Sequence, residues 1–235
     1  SKVEEQAISD ISLHAKKTVV VVYAGAPIDM TAWIDKVDAV VWGGFGGQCS
    51  AKAIATVLSG DVNPSGRLAE TFPLHLSDVP SEQSYRDSFV IKYSEGLNVG
   101  YRYFDTCGKP VLFPFGYGLS YSEFVYSDLS VLCEDGVMRV CLCVENISQV
   151  DGKEVVQVYI GSGHKGYPLK ELKAFEKVPL KAHEKKKVCI NIALKELRRF
   201  VGGEWMPPVG EYTIYIGKNV RDIQLSAKIK IKNLL

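Results

Sequence analysis

Seven short runs of alternating apolar residues crowd the second half of this 235-residue chain, at 124–132, 138–145, 154–160, 169–178, 186–193, 210–217 and 223–231. Successive side chains along a strand point to opposite faces, so such alternation builds sheets with one buried side. Turn residues such as Glu134-Asp135-Gly136 and Asp151-Gly152 separate the runs. Seven strands at this spacing predict an all-β sandwich from about residue 122 onward.

The first half has a different texture. Val3, Ala7, Ile8, Ile11 and Ala15 keep a helical spacing up to Lys16-Lys17. Residues 18–23 (TVVVVY) are a continuous apolar run, as expected of a strand covered on both faces. A short helix is expected over 29–33 and a second strand over 38–42 (DAVVW), a βαβ-like order. Glycines then stand at 43, 44, 46 and 47, and a helix begins at about Ser50 with Ala51, Ile54, Ala55, Val57 and Leu58 on its apolar side. Gly60 can end that helix and Asn63-Pro64-Ser65-Gly66 supplies a turn. A glycine-rich loop between a strand and a helix lets a ligand approach the backbone closely, and chemistry in open α/β sheets gathers there. The loop after the first strand lacks a dinucleotide fingerprint and the glycine cluster lacks the Gly-Lys-Ser/Thr of a P-loop, which argues against a nucleotide site.

Composition bounds the rest. With 46% hydrophobic residues the chain can bury two ordinary cores, and a net charge of +1 with both signs scattered gives no steering toward nucleic acid or an anionic membrane. No stretch approaches the ~18 to 20 apolar residues of a membrane span, and the polar start SKVEEQAISD is no signal peptide. Cysteines at 49, 107, 133, 141, 143 and 189 show no zinc-site spacing. Cys141, Cys143 and Cys189 sit among strand residues and are expected to point into the sandwich core as small hydrophobes, which fits a reduced, cytoplasmic setting.

Three segments go further: WGGFGGQCSAKAIATVLSGDVNPSGRLAETFP from Trp42, YSEGLNVGYRYFD from Tyr93, and FPFGYGLSY from Phe113. Their wording and order closely resemble the C-terminal α/β sandwich domain of family 3 glycoside hydrolases, the β-glucosidase-like enzymes. The chain after about Glu123 resembles the fibronectin type III-like domain that often succeeds it. The fold expected is therefore a partial α/β sandwich domain over residues 1–121, an open sheet with flanking helices, and then an immunoglobulin/fibronectin type III-like sandwich over 122–235. A start at Ser1 falls mid-family by this resemblance, so a fragment is expected.

The resemblance implies hydrolysis of β-glycosides with retention, with no metal and no organic cofactor. Retaining enzymes place two carboxyl groups about 5 to 5.5 Å apart, one as nucleophile and one as acid/base. In this family the nucleophile is an aspartate on a separate (β/α)8 barrel domain, which nothing in this chain resembles. The partners implied are a carbohydrate substrate and that barrel. In many members the acid/base is a glutamate after Gln in a GQE-like loop; here the loop reads Gly47-Gln48-Cys49, so Cys49 stands at that position. A thiol is a poor match to the task of a tuned glutamic acid, and Glu95 is an alternative source of a carboxyl group. Trp42, Phe45 and Gln48 are the candidate sugar contacts, the two aromatics by stacking on the C–H face of a ring. Glu95 and Arg102 are close enough in sequence to pair, holding a long loop, with Tyr93, Tyr101 and Tyr103 forming a wall or rim. Residues 74–88 read as an irregular surface connection. The rival reading, carried by the Cys49 replacement, is a noncatalytic sugar-binding or scaffolding protein.

Overall fold

The computed structural model describes residues 1–82, 89–90 and 93–232. The chain forms two compact units: Ser1–Val62 with Glu70–Ser94 and Pro110–Phe113, and Asn63–Ala69 with Glu95–Lys109 and Pro114–Leu235.

In the first unit, helix α1 (Lys2–His14) precedes β1 (Val19–Val22), which pairs in parallel with β2 (Ala39–Trp42). Helix α2 (Ser50–Leu58) comes next, and β3 (Phe72–Pro73) pairs antiparallel with β4 (Val111–Phe113). Gly60 takes a positive φ of 84° just past α2, the left-handed stop expected there. Two expectations change. The Val19–Val22 run is not covered on both faces, since only Val22 of the four is buried. The short helix over 29–33 is replaced by a turn and a 3-10 turn at Ile34–Lys36, because Asp29 accepts hydrogen bonds from both the N–H and the hydroxyl of Thr31. Short polar side chains of this kind capture nearby backbone donors and compete with helix formation. Met30 and Trp33 are nevertheless buried. Of the connection read over 74–88, residues 83–88 lie outside the described residues; the described part contains a 3-10 turn at Leu76–Asp78.

The second unit is built on the sandwich. Strands β5 (Phe124–Glu134), β6 (Val137–Asn146) and β9 (Lys185–Ala193) form one sheet in the order β5-β6-β9. Strands β7 (Gly152–Gly161), β8 (Glu171–Leu180), β12 (Gly210–Gly217) and β13 (Ile223–Ile231) form the other, in the order β13-β12-β7-β8. Their inward residues, with Leu194 and Leu197 of the 3-10 turn after β9, make one cluster of twenty buried side chains among the described residues, including Val140, Leu142, Val144, Val156, Val158, Ile214 and Ile216. A small hairpin of β10 (Arg199–Val201) and β11 (Glu204–Met206), not expected from the sequence pattern, comes after β9.

Strand β7 is buried on both faces. Its Val156, Val158 and Ile160 enter the core, while Val155, Gln157 and Tyr159 are buried on the other side. Segments that precede residue 122 supply that second cover. Gln157 donates to the carbonyls of Gly116 (3.1 Å) and Lys218 (2.7 Å). Tyr159 meets Tyr101 edge-on at 6.2 Å, and Tyr101, in helix α3 (Tyr101–Thr106), stacks on Phe115 at 4.4 Å. Glu154, itself buried, is paired with Arg67 at 3.1 Å and accepts from the Tyr126 hydroxyl. Burial, reinforced by the Glu154 carboxylate, holds the Tyr126 phenol far above its ordinary range. Lys170 and Asp105 form a second buried pair at 2.7 Å. Asn63 satisfies its whole amide within this unit, donating to Ser122 Oγ and Asp151 O and accepting from Ser120 Oγ and Tyr121 N. Gly116 has a φ of 81°, and a Cβ there would lie 2.1 Å from Gln157 Oε1, so only glycine allows this approach.

The cysteine expectation is overturned. Alternation along β6 sends Met138, Val140, Leu142 and Val144 inward, which leaves Cys141 and Cys143 on the outer face with Arg139 and Glu145. Cys189 is likewise outward on β9 and exposed. Cys141 and Cys189, directly opposite in the β6–β9 register, are joined by a disulfide.

Candidate functional site

The glycine loop extends the β1–β2 pair: Gly43 N–H donates to Val22 O at 2.8 Å, after which the chain leaves the sheet at Gly44, with a φ of 52°. Gly47, with a φ of 65°, opens a 3-10 turn at Gly47–Cys49 that runs directly into α2. Two parallel strands end side by side here, so the loops after β1 and β2 meet. A Cβ on Gly43 would stand 2.9 Å from the Tyr23 ring, and one on Gly25 would stand 2.4 Å from the Phe45 ring. Each loop thus provides a glycine on which the other lays an aromatic ring.

The five residues proposed from sequence separate in role. Trp42 is half-buried and packs edge-on against Phe72 at 5.0 Å, which in turn meets Phe113 at 6.1 Å. Phe45 rests its ring edge on Gly25 yet stays 88% exposed. Gln48 and Cys49 are exposed; Cys49 is a free thiol at the start of α2 whose side chain makes no capping hydrogen bond. Glu95 belongs to the other unit, where it is half-buried and its carbonyl accepts from Asn98 N–H. The expected Glu95–Arg102 pair is corrected: Arg102 pairs with Glu171 on β8 at 3.2 Å, a partner that strand packing brings in from far along the chain. Of the tyrosine wall, Tyr93 is exposed, Tyr101 is the stacked residue described above, and Tyr103 meets Phe104 edge-on.

Tyr23 and Gly25 were missed from sequence, although Gly25, in the short break after the first strand, was a signal of close backbone approach. A further polar cluster in the same unit was missed as well. Asp29 meets His75 Nδ1 at 3.5 Å besides accepting from Thr31, and these contacts, those from Thr31 first, hold its carboxyl below the usual range. The described residues contain no group of three or more metal-ligating side chains. From Trp42 to Leu58 there is no carboxylate at all. The loop can present an aromatic face, an amide and a thiol to a ligand, but it cannot carry a carboxyl acid/base by itself.

An open α/β unit with a glycine loop at its strand ends, succeeded in sequence by a fibronectin-like sandwich, has clear relatives among glycosidases. Residues 1–121 match the glycosyl hydrolase family 3 C-terminal domain, and residues 154–220 match a fibronectin type III-like domain. The chain is 42% identical over 239 residues to the thermostable beta-glucosidase B of Acetivibrio thermocellus, covering 98% of this chain and 32% of that protein. It is 37% identical over 246 residues to beta-glucosidase B of Emericella nidulans, covering 97% of this chain and 29% of that one. The solved structure of beta-glucosidase 3B from Thermotoga neapolitana in complex with alpha-D-glucose superposes with a TM-score of 0.93 at 37% identity, over 99% of this chain and 34% of that chain. The chain belongs to glycosyl hydrolase family 3. It spans about a third of the length of the relatives it matches.

Proposed function

We propose that this chain is the part of a retaining, β-glucosidase-like enzyme that forms one wall of the sugar site. Its glycine loop presents Phe45 and Gln48 to the substrate, while both catalytic carboxyl groups come from outside that loop. The observation that carries this reading is the pairing of an 88% exposed aromatic ring, seated on Gly25, with a loop free of Asp and Glu. In such a site Cys49 has no acid/base role, because a thiol cannot supply a tuned carboxylic proton. By the family resemblance the nucleophile is an aspartate of a (β/α)8 barrel, so the chain alone does not turn over glycosides.

The test uses the whole protein and an aryl β-glucoside. Phe45→Ala should raise KM about 3- to 10-fold with a small change in kcat, the loss of one stacking contact of about 0.5 to 1.5 kcal/mol. Cys49→Ser should leave kcat/KM within about twofold. An unchanged KM in Phe45→Ala removes the loop from the site. Calorimetric binding of glucose without any turnover would give the reading to a noncatalytic sugar-binding protein.

A further inference from the structure

The outer face of the β5-β6-β9 sheet carries a feature that glycoside chemistry does not use. Cys141 and Cys189 are cross-strand neighbours bonded to each other on that face, and the two residues differ in exposure: Cys141 is 8% exposed, whereas Cys189 is exposed. Along the same face Cys143 stands opposite Lys187, Glu145 opposite Lys185, and Arg139 opposite Asn191. The disulfide is therefore flanked on the sheet surface by Lys187 on one side and Arg139 on the other, both exposed. The acidic groups nearby are engaged elsewhere or stand further along. Asp128, at the β5 bulge between Ser127 and Ser130, accepts from the Ser127 hydroxyl, pairs with Lys185 at 3.4 Å and takes the Cys143 thiol as a donor. Lys187 and Arg139 enter no ion pair with Asp128 or Glu145 among the described residues.

We propose that this face is a thiol–disulfide exchange site for anionic, low-molecular-weight monothiols of the glutathione class, with Cys189 as the sulfur attacked and Cys141 as the leaving group. Which sulfur is attacked in such exchange depends on access, and anionic thiols are drawn to cationic surroundings. In the first step the glutathione thiolate bonds to Cys189 Sγ as the Cys189–Cys141 bond breaks, and the electron pair departs on Cys141, which takes a proton from solvent. In the second step another glutathione thiolate attacks the glutathione sulfur of the adduct. Glutathione disulfide leaves, and Cys189 is released as a thiolate that takes up a proton. Two glutathiones are oxidised and one protein disulfide is reduced. Cys143 stays outside the exchange: it is diagonal to Cys189 in the ladder, where Cα atoms lie about 7 to 8 Å apart, beyond the reach of a disulfide without backbone movement. Opening removes the covalent tie between β6 and β9, which closes a loop of 48 residues, and so weakens the sandwich.

The probe is glutathione itself, titrated as reduced/oxidised mixtures over the intact 235-residue chain, with peptide mapping of adducts and alkylated thiols. In the wild type, the adduct that appears as the disulfide opens should map to Cys189, with Cys141 alkylated in the same molecules, and the open form should melt several degrees lower. In Cys141→Ser, whose fold is checked by circular dichroism, the Cys189 adduct should accumulate because the thiol that expels glutathione is gone. Lys187→Gln with Arg139→Gln should slow opening by glutathione several-fold at low salt and leave opening by neutral 2-mercaptoethanol unchanged. The wild-type map alone decides the proposal should the variants fail to fold. An adduct on Cys141, a Cys141–Cys189 bond that does not form under oxidised glutathione, or opening rates equal for charged and neutral thiols in every variant would overturn it.

Discussion

The two units hold their apolar residues in different ways. In the sandwich, alternation turns directly into burial, and twenty side chains close into one cluster. In the α/β unit, neither α1 nor α2 buries a single residue completely, and Val3 and Leu13 on α1 are each 78% exposed. Among the described residues its buried apolar set is Val22, Met30, Trp33 and Phe72. The polar side obeys the same division: the Arg67–Glu154 and Lys170–Asp105 pairs of the second unit are buried, while the Lys17–Asp38 and His75–Asp29 pairs of the first are exposed. A hydrophobic pattern states which face a segment is able to bury. Depth of burial, which sets the free energy, comes from what is packed against it.

The largest effect expected from this contrast concerns residues 122–235 expressed alone, which we propose as a separable folding unit. They should give β-rich circular dichroism and a cooperative melt, but with a midpoint roughly 10 to 20 °C below that of the sandwich in the full chain, because Glu154 and Lys170 lose Arg67 and Asp105. An equal midpoint would mean that the cover over Gln157 and Tyr159 contributes nothing. Next in size, Leu142→Ala in the cluster should lower stability by about 2 to 5 kcal/mol, whereas Ile54→Ala on half-buried α2 should cost under about 1 kcal/mol, both read from urea melts. Similar values for the two would erase the contrast.

Gly25→Ala should change stability less than that and change geometry more. The new methyl group occupies the place of the Phe45 ring edge, and the free end of an exposed side chain swings away at little expense. The check is the aromatic proton shifts of Phe45, which should move toward random-coil values while the melt stays within a degree or two. Smallest of all is Asp38→Asn. The Lys17 ammonium, then the Thr18 N–H, hold the Asp38 carboxyl below its ordinary value in the folded chain. A depressed carboxyl stabilises above its unfolded pKa of about 3.9, and that contribution is lost as pH falls through the folded value. The slight difference between wild type and Asp38→Asn should therefore be seen at pH 7 and shrink progressively as pH falls below the unfolded value.

Much of this molecule was legible in its sequence, for identifiable reasons. The seven sandwich strands declared themselves because each is long enough to show its period, whereas the β10–β11 hairpin has three-residue strands whose Phe200 and Trp205 are both exposed, so no inward face marks it. The cysteines misled because a thiol suits either face. The needed clue was parity: in MRVCLCVEN the cysteines share their phase with Arg139 and Glu145 and oppose Val140, Leu142 and Val144. The glycine loop could be read directly, since four glycines between a strand and a helix interrupt both periods and mark a loop free to take positive φ. Its seat could not, because Gly25 and Phe45 come together only when two parallel strands end in register, and sequence spacing carries no trace of that. Arg102 fails for the same reason, its partner Glu171 being set by packing on β8.

The double cover of β7 has a bearing on how such proteins can be rearranged. A sandwich with one solvated sheet face can be cut out and spliced elsewhere like a bead from a string. Here the outer sheet face is roofed by stretches from two earlier places in the chain, around Tyr101 and around Phe115 and Gly116. Grafting this sandwich onto a new host, or exchanging it with that of a relative, means carrying the roof along: the recombination cassette is discontinuous, and a crossover placed at the sequence boundary alone would join a sheet to a host that lacks its cover.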